Sequence, residues 1–159
     1  MEIYLLRHGI AEDHAPSGRD SDRHLTEEGR VKLRRVLKRA KAAGVSPSLI
    51  VSSPYHRAVE TAEVAAHELG YQGEILQTDG LVPNSSPARV WSEIRAHRTE
   101  SAILLAGHEP LFSATVAWML GSTRAMIHFR KAGLVRIDVE TPGAEPKGVL
   151  KWMLTASIS

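Results

Sequence analysis

The chain has 159 residues, no cysteine and a net charge of +2, which suits a single domain of residues 1–159 around one core and leaves too little for two. Hydrophobic residues make up 43% and charged residues 24%, ordinary values for a soluble globular protein. The lack of cysteine excludes disulfides, thiolate metal ligands and cysteine nucleophiles, and without a Lys/Arg block or a long apolar run neither nucleic acid nor a membrane is an expected partner.

Residues 2–7, EIYLLR, are apolar on both alternating faces, which predicts a central strand covered on both sides. The strand runs out on Arg7, His8 and Gly9. Glu2 and this early polar group argue against a signal peptide, so a cytoplasmic protein is expected. Residues 9–25 are rich in Gly, Pro, Asp and Ser. They form a loop of about 17 residues, longer than most connections and of a length associated with function.

A helix follows in LTEEGRVKLRRVLKRAKAAG. Thr26 suits its N-cap, Glu27 and Glu28 its positive end and Gly44 its stop. Leu33, Val36, Leu37 and Ala40 make one apolar face. Residues 48–53, SLIVSS, read as a short buried strand. The second helix is expected to start with Ser53 as N-cap and Pro54 as first residue, to bury Ala58, Ala62, Ala65 and Leu69, and to end at Gly70. A short strand is expected over Glu74–Thr78. A third helix starts at another Ser-Pro and turns Val90, Trp91 and Ile94 inward. Residues 101–110, SAILLAGHEP, repeat the opening pattern of an apolar run closed by Gly-His. Pro110 begins a fourth helix with the face Phe112, Thr115, Val116, Met119 and Leu120. The chain closes with GLVRIDVE and GVLKWMLT, which alternate and pair as a hairpin, with Val135, Ile137 and Val139 on one side of the first strand and Leu150, Trp152 and Leu154 on one side of the second. The expected fold is a three-layer α/β/α sandwich with a mostly parallel central sheet and a C-terminal antiparallel hairpin.

In such sheets the functional crevice lies beyond the carboxyl ends of the strands. Three strand ends carry suitable residues: Arg7 and His8; Ser52 and Ser53, with Arg57 one turn into the helix; and Gly107 and His108. Each alone reads as an ordinary surface cation or a capped turn. Together on one rim they describe a pocket for a phosphoryl group, with Arg7 and Arg57 gripping its equatorial oxygens and His108 adding a donor. Neutral His8 is then a nucleophile able to carry the phosphoryl group covalently, and Gly9 allows close backbone approach. Tyr55, His56, His67, His97 and His128 read as structural or surface residues, and His14 and His24 as exposed loop residues. No HxxxH or HExxH spacing appears, and no metal or cofactor is expected.

The ordered segments LLRHGIAE, LTEEGR, SSPYHRAVETA and GHEP together resemble the histidine phosphatase superfamily, also called phosphoglycerate-mutase-like, over nearly the whole chain. The resemblance implies that His8 is the nucleophile and that Arg7, Arg57 and His108 form the phosphate pocket. The short chain, with RHGIAED, FRKAG and LKWMLT, is most similar to the small SixA-type protein phosphohistidine phosphatases. Many superfamily members carry a Glu-Leu pair that supplies the acid; here Gly80 precedes Leu81, and Asp79 is the candidate substitute. A missing acid suits an imidazole leaving group, which needs less protonation help than an alkoxide. The resemblance therefore implies a phosphatase acting through a shallow, uncapped pocket on a phosphohistidine-bearing signalling or phosphotransfer protein met transiently. The alternatives are a small-molecule phosphomonoesterase or mutase using Asp79, and a non-catalytic phospho-binding module.

Overall fold

The computed structural model describes residues 1–157. Its first strand, β1 (Glu2–Arg7), feeds the long loop, within which Asp20–Asp22 form one 3-10 turn. Helix α1 (Glu27–Ala42), strand β2 (Leu49–Ser52), helix α2 (His56–Leu69) and strand β3 (Ile75–Gln77) follow. After a 3-10 turn at Asp79–Leu81 come α3 (Pro87–Ala96), β4 (Ala102–Gly107), α4 (Leu111–Met119), β5 (Leu134–Asp138) and β6 (Val149–Leu154).

The six strands make one sheet in the order β3-β2-β4-β1-β5-β6. The first four in that order are parallel, β5 is antiparallel to β1, and β6 is antiparallel to β5. Alternation along the strands divides the core into two sides. Ile3, Leu5, Val51 and Leu105 pack with Val90, Trp91 and Ile94 of α3 and Phe112 and Val116 of α4. Tyr4, Leu6, Ile50 and Leu104 pack with Leu33, Val36 and Leu37 of α1 and Ala62 and Ala65 of α2. This is the expected three-layer sandwich, and it explains why β1 and β4 are apolar at nearly every position. Among the described residues no helix is long and apolar enough to cross a membrane.

The helix ends follow local chemistry with two exceptions. Thr26 caps α1 by accepting the Gly29 N–H at 3.0 Å, Ser86 caps α3 by accepting the Arg89 N–H at 3.3 Å, and Gly70 ends α2 at φ +73°. Helix α2, however, does not begin at Ser53 and Pro54. It starts at His56 with Tyr55 as N-cap and no side-chain capping bond, while the Ser53 hydroxyl accepts the Tyr55 N–H at 3.3 Å and lies 2.8 Å from His108 Nε2. Helix α4 stops at Met119, so Leu120 caps it at 38% exposure instead of extending the buried face. The hairpin differs too. A register shift between Arg136 and Ile137 pairs Ile137 with Leu150 but Arg136 with Trp152. Such a bulge breaks the alternation of β6, and Leu150 on the edge strand is 45% exposed.

The first turn of α1 sits directly on the chain leaving β1. The Ile10 carbonyl accepts the Thr26 N–H at 2.9 Å, and a Cβ on Gly29 would collide with the backbone oxygen and nitrogen of Ile10. Because backbone is the obstacle, no rotamer change relieves it. Gly29→Ala is expected to destabilise the fold by about 1–3 kcal/mol, read as a lower urea midpoint; an unchanged midpoint would show that α1 is free to slide away from the His8 segment.

Candidate active site

The strand ends gather as the parallel register dictates. Arg7 of β1 lies opposite Gly107 of β4, and the pairing continues one residue further, with the His8 N–H donating to the Gly107 carbonyl at 2.9 Å. On the other side of β4, the Ser53 N–H donates to the Ala106 carbonyl at 3.0 Å. His8 and His108 are thereby brought to a ring separation of 5.3 Å, and Arg57, in the first turn of α2, reaches across with its Nε 3.4 Å from His8 Nε2. His8, Arg57 and His108 are 6%, 5% and 1% exposed, so this polar cluster is largely dry.

The hydrogen bonds fix the state of His8. Its Nδ1 lies 2.7 Å from the Gly9 carbonyl oxygen, which only accepts, so Nδ1 carries the hydrogen. In the neutral ring Nε2 then bears a lone pair, toward which the Arg57 Nε–H points. Burial pushes His8 down from 6.5 to about 3, with the Arg57, Arg7 and Lys131 charges adding to the shift and the Gly9 bond opposing it. His108 is also lowered to about 3, by burial first and then by His8, Arg57 and Arg7, against the pull of Asp20. Both rings are neutral at ordinary pH.

Two buried nitrogens in this cluster have no partner. Arg7 donates from Nη1 to the Phe129 carbonyl at 2.7 Å, but its Nε is buried without a partner. His108 Nε2 lies 2.8 Å from Ser53 Oγ, while its buried Nδ1 has no partner. Among the described residues these are the only two buried side-chain nitrogen or oxygen atoms left unsatisfied. Native interiors leave few such atoms, and both belong to neighbours of His8, one in sequence and one by ring contact. In the tautomer whose Nε2 accepts from the Ser53 hydroxyl, neutral His108 carries its hydrogen on the unpartnered Nδ1.

Several residues depart from their sequence reading. Gly9 does not present a free N–H to a ligand: it donates to Thr61 Oγ1 at 3.2 Å. Its missing side chain instead makes room for α1, since a Cβ would lie 3.2 Å from the Gly29 carbonyl oxygen. Thr61, through the bond from Gly9, ties α2 to the His8 loop, and its hydroxyl donates within the helix to the Arg57 carbonyl at 2.7 Å. Asp79 is exposed after β3, and β2 and β4 stand between that strand and β1; none of its side-chain hydrogen bonds reaches the cluster among the described residues. His24 and His56 stack on each other at 4.8 Å outside it.

Sequence reasoning missed Asp20. Its carbonyl accepts from Arg57 Nη1 at 2.8 Å and its carboxylate from Arg57 Nη2 at 3.0 Å. The same carboxylate accepts from Arg23 Nη1 at 2.8 Å. Arg23 and Arg57 hold the Asp20 carboxyl below its usual range. An internal anion therefore occupies the guanidinium expected to grip a phosphoryl group, and the pocket is covered by the Asp20–Asp22 turn rather than open and shallow. Nothing in the spacing of GRDSDRH marks which carboxylate folds inward. Among the described residues no group of three or more His, Asp or Glu side chains is placed to hold a metal ion.

A family model described as histidine phosphatase superfamily (branch 1) matches residues 3–82. An uncharacterized protein of Picosynechococcus sp. is 36% identical over 139 residues, covering 85% of this chain and 83% of that protein. The structure of the protein histidine phosphatase SixA complexed with tungstate superimposes with a TM-score of 0.86 at 23% identity, covering 99% of this chain and 98% of that one. The Agrobacterium tumefaciens protein designated SixA gives a TM-score of 0.81 at 26% identity over 97% of both chains. A phosphoserine phosphatase from Entamoeba histolytica gives 0.71 at 15% identity, covering 98% and 97%, which shows a shared fold.

The two neutral imidazoles set a pH dependence. In the unfolded chain both histidines titrate near 6.5, whereas the fold holds them near 3. Below 6.5 the unfolded chain binds more protons, so their contribution to stability is complete above that pH and is lost as pH falls toward 3. The urea midpoint is expected to drop on acidification through this window, and less steeply in His108→Asn. Parallel curves for the two proteins would show that His108 is not held neutral by the fold.

Proposed function

The chain belongs to the histidine phosphatase superfamily, and from that premise we propose that this phosphatase removes phosphoryl groups from histidine side chains of a signalling or phosphotransfer protein, by way of a phosphohistidine formed on His8. The observation that carries the reading is the pair of buried nitrogens without partners, Arg7 Nε and His108 Nδ1, in the residues next to the uncharged His8 imidazole. They supply hydrogen bonds for a tetrahedral oxyanion, and the similarity to a SixA structure holding tungstate supports the same use.

In the proposed cycle the phosphoryl oxygens displace Asp20 from Arg57. Arg7, Arg57 and His108 then hold the equatorial oxygens, where charge must be stabilised. His8 Nε2 attacks phosphorus in line. A new N–P bond forms as the substrate N–P bond breaks, and the departing imidazole nitrogen takes a proton from solvent. Water then attacks phospho-His8, inorganic phosphate leaves, and the ring returns to its neutral, Nδ1-protonated form. The burial that keeps His8 neutral keeps the Nε2 lone pair available across the ordinary pH range.

Substrate class follows from the acid. An alkoxide leaving group needs a positioned proton donor, whereas an imidazole is far less basic, with a pKa of about 6.5 for a solvated histidine side chain. Among the described residues no acid side chain is hydrogen-bonded into the cluster apart from Asp20, which is held as a carboxylate. Phosphohistidine is the substrate such a site serves best. The fold shared with a phosphoserine phosphatase keeps a second reading open, a small-molecule phosphomonoesterase using Asp79.

Comparing kcat/KM on a phosphohistidine peptide and a phosphoserine peptide tests the assignment: strong preference for the former is expected, and equal efficiency overturns it. Asp79→Asn should leave phosphohistidine turnover unchanged; a large loss on an ester favours the second reading. His8→Ala is expected to keep its fold and form no phosphoenzyme on rapid quench, and a trapped phosphoenzyme in that variant removes His8 as nucleophile. Arg57→Ala should lower kcat roughly 10²–10³-fold; a change of only a few-fold would take Arg57 out of the phosphoryl grip.

A further inference from the structure

Beside the His8 cluster runs a groove of about 610 Å³ that shares Arg7 with it. One wall is α1, through Lys32 and Arg35. The other is the segment leading into β5, through His128, Arg130 and Lys131. Among the described residues its lining, which also includes Ala156 and Ser157, contains no carboxylate. Lys32 has Glu28 at 3.1 Å, but Arg7, Arg35, Arg130 and Lys131 have no ion-pair partner among the described residues. The chain as a whole carries 20 basic against 18 acidic residues. A concentration of five cations along one groove is therefore a local arrangement and does not reflect the composition.

A phosphoryl group held by Arg7, Arg57 and His108 would use only Arg7 of this groove. The phosphoryl grip does not explain cations on α1 and before β5, since only Arg7 belongs to it. They face solvent: Arg35, Arg130 and Lys131 are exposed. Unpaired cations in a concave surface raise the local potential and attract anions before contact. A substrate presented on a protein brings neighbouring residues with it, and the shared Arg7 puts this groove next to the phosphoryl grip, within reach of those residues.

We propose that the groove seats carboxylates flanking the phosphorylated histidine, and so selects acidic segments of the substrate protein. This rests on the phosphohistidine reading above. The groove acts on binding, not on chemistry. Rim ion pairs are individually weak and screened by salt, so the selection comes from several pairs together and shows in KM and association rate, with kcat unaffected.

The test uses the full chain and three substrates: phosphoimidazole, and two peptides of equal length phosphorylated on a single histidine, one flanked by Asp and Glu and one by Asn and Gln. The variant is Arg35→Glu with Arg130→Glu, both on exposed positions outside the phosphoryl grip. At low salt the wild type is expected to show a KM roughly tenfold lower for the acidic peptide, at equal kcat, with the advantage shrinking as salt rises. The double variant should lose that advantage while turning over phosphoimidazole at the wild-type rate. Equal KM values for the two peptides in the wild type overturn the proposal, as does a variant that loses equally on all three substrates.

Fluorescence anisotropy with an unphosphorylated acidic peptide separates the groove from the chemistry. Binding to the wild type and not to the variant is expected. If phosphohistidine turnover is intact and that peptide fails to bind, the groove proposal falls alone. If the peptide binds but no phosphohistidine substrate is turned over, the substrate reading falls alone. Tripolyphosphate competing for the groove while peptide flanks make no difference would identify a small polyanion site and refute the protein partner.

Discussion

The parallel register of β1, β4 and β2 is the constraint on which the site depends. Arg7 pairs with Gly107 and Ser52 with Ala106, so three chains leave the sheet at the same height and side. The ladder runs one residue past the strands, through His8 to Gly107 and Ser53 to Ala106. That extra step places the two imidazoles and the serine hydroxyl together. Side chains alternate along a strand, so a slip of one residue would exchange the faces of Tyr4 and Leu6 with those of Ile3 and Leu5. Both faces are buried against helices, and the packing that holds the register also aims the site.

Gathering cations and imidazoles in a dry place is unfavourable, and the protein limits the penalty in three ways. Burial keeps His8 and His108 uncharged, leaving only arginines ionised. Arg7 is partly satisfied by the Phe129 carbonyl, brought in by the segment before β5. Arg57 is satisfied by Asp20 from the long loop. What remains is the pair of unpartnered nitrogens in the neighbours of His8, a local sacrifice of stability of the kind that binding sites retain. Arg57 is thus closed on a carboxylate of its own chain. The cationic groove outside extends the same field to the surface, where it acts on approach instead of on reaction.

The order of elements and the layer architecture were legible because both depend on local pattern. Period-two burial in β1 and β4 and period-3.6 faces in α1 and α2 survive into the core almost residue for residue. Errors came where one group had two possible uses. Ser53 before Pro54 has the form of a helix cap, but its hydroxyl bonds His108. Gly9 looks like an opening for a ligand, but the space belongs to α1. Leu150 alternates with Trp152 in sequence, and a bulge in the pairing undoes that alternation. Each of these was settled by a partner more than ten residues away.

By itself the sequence determined which segments become strands and helices and which side chains stand at the strand ends, since backbone propensity, capping and hydrophobic period act over a few residues. It also determined that Arg7, His8, Arg57 and His108 were available as one chemical set. Only the tertiary structure decided that His8 presents Nε2, that Asp20 and no other carboxylate of the loop covers Arg57, and that scattered cations of α1 and the β5 approach line one groove. Those outcomes depend on hydrogen-bond geometry and burial between segments distant in the chain, and no local pattern encodes them.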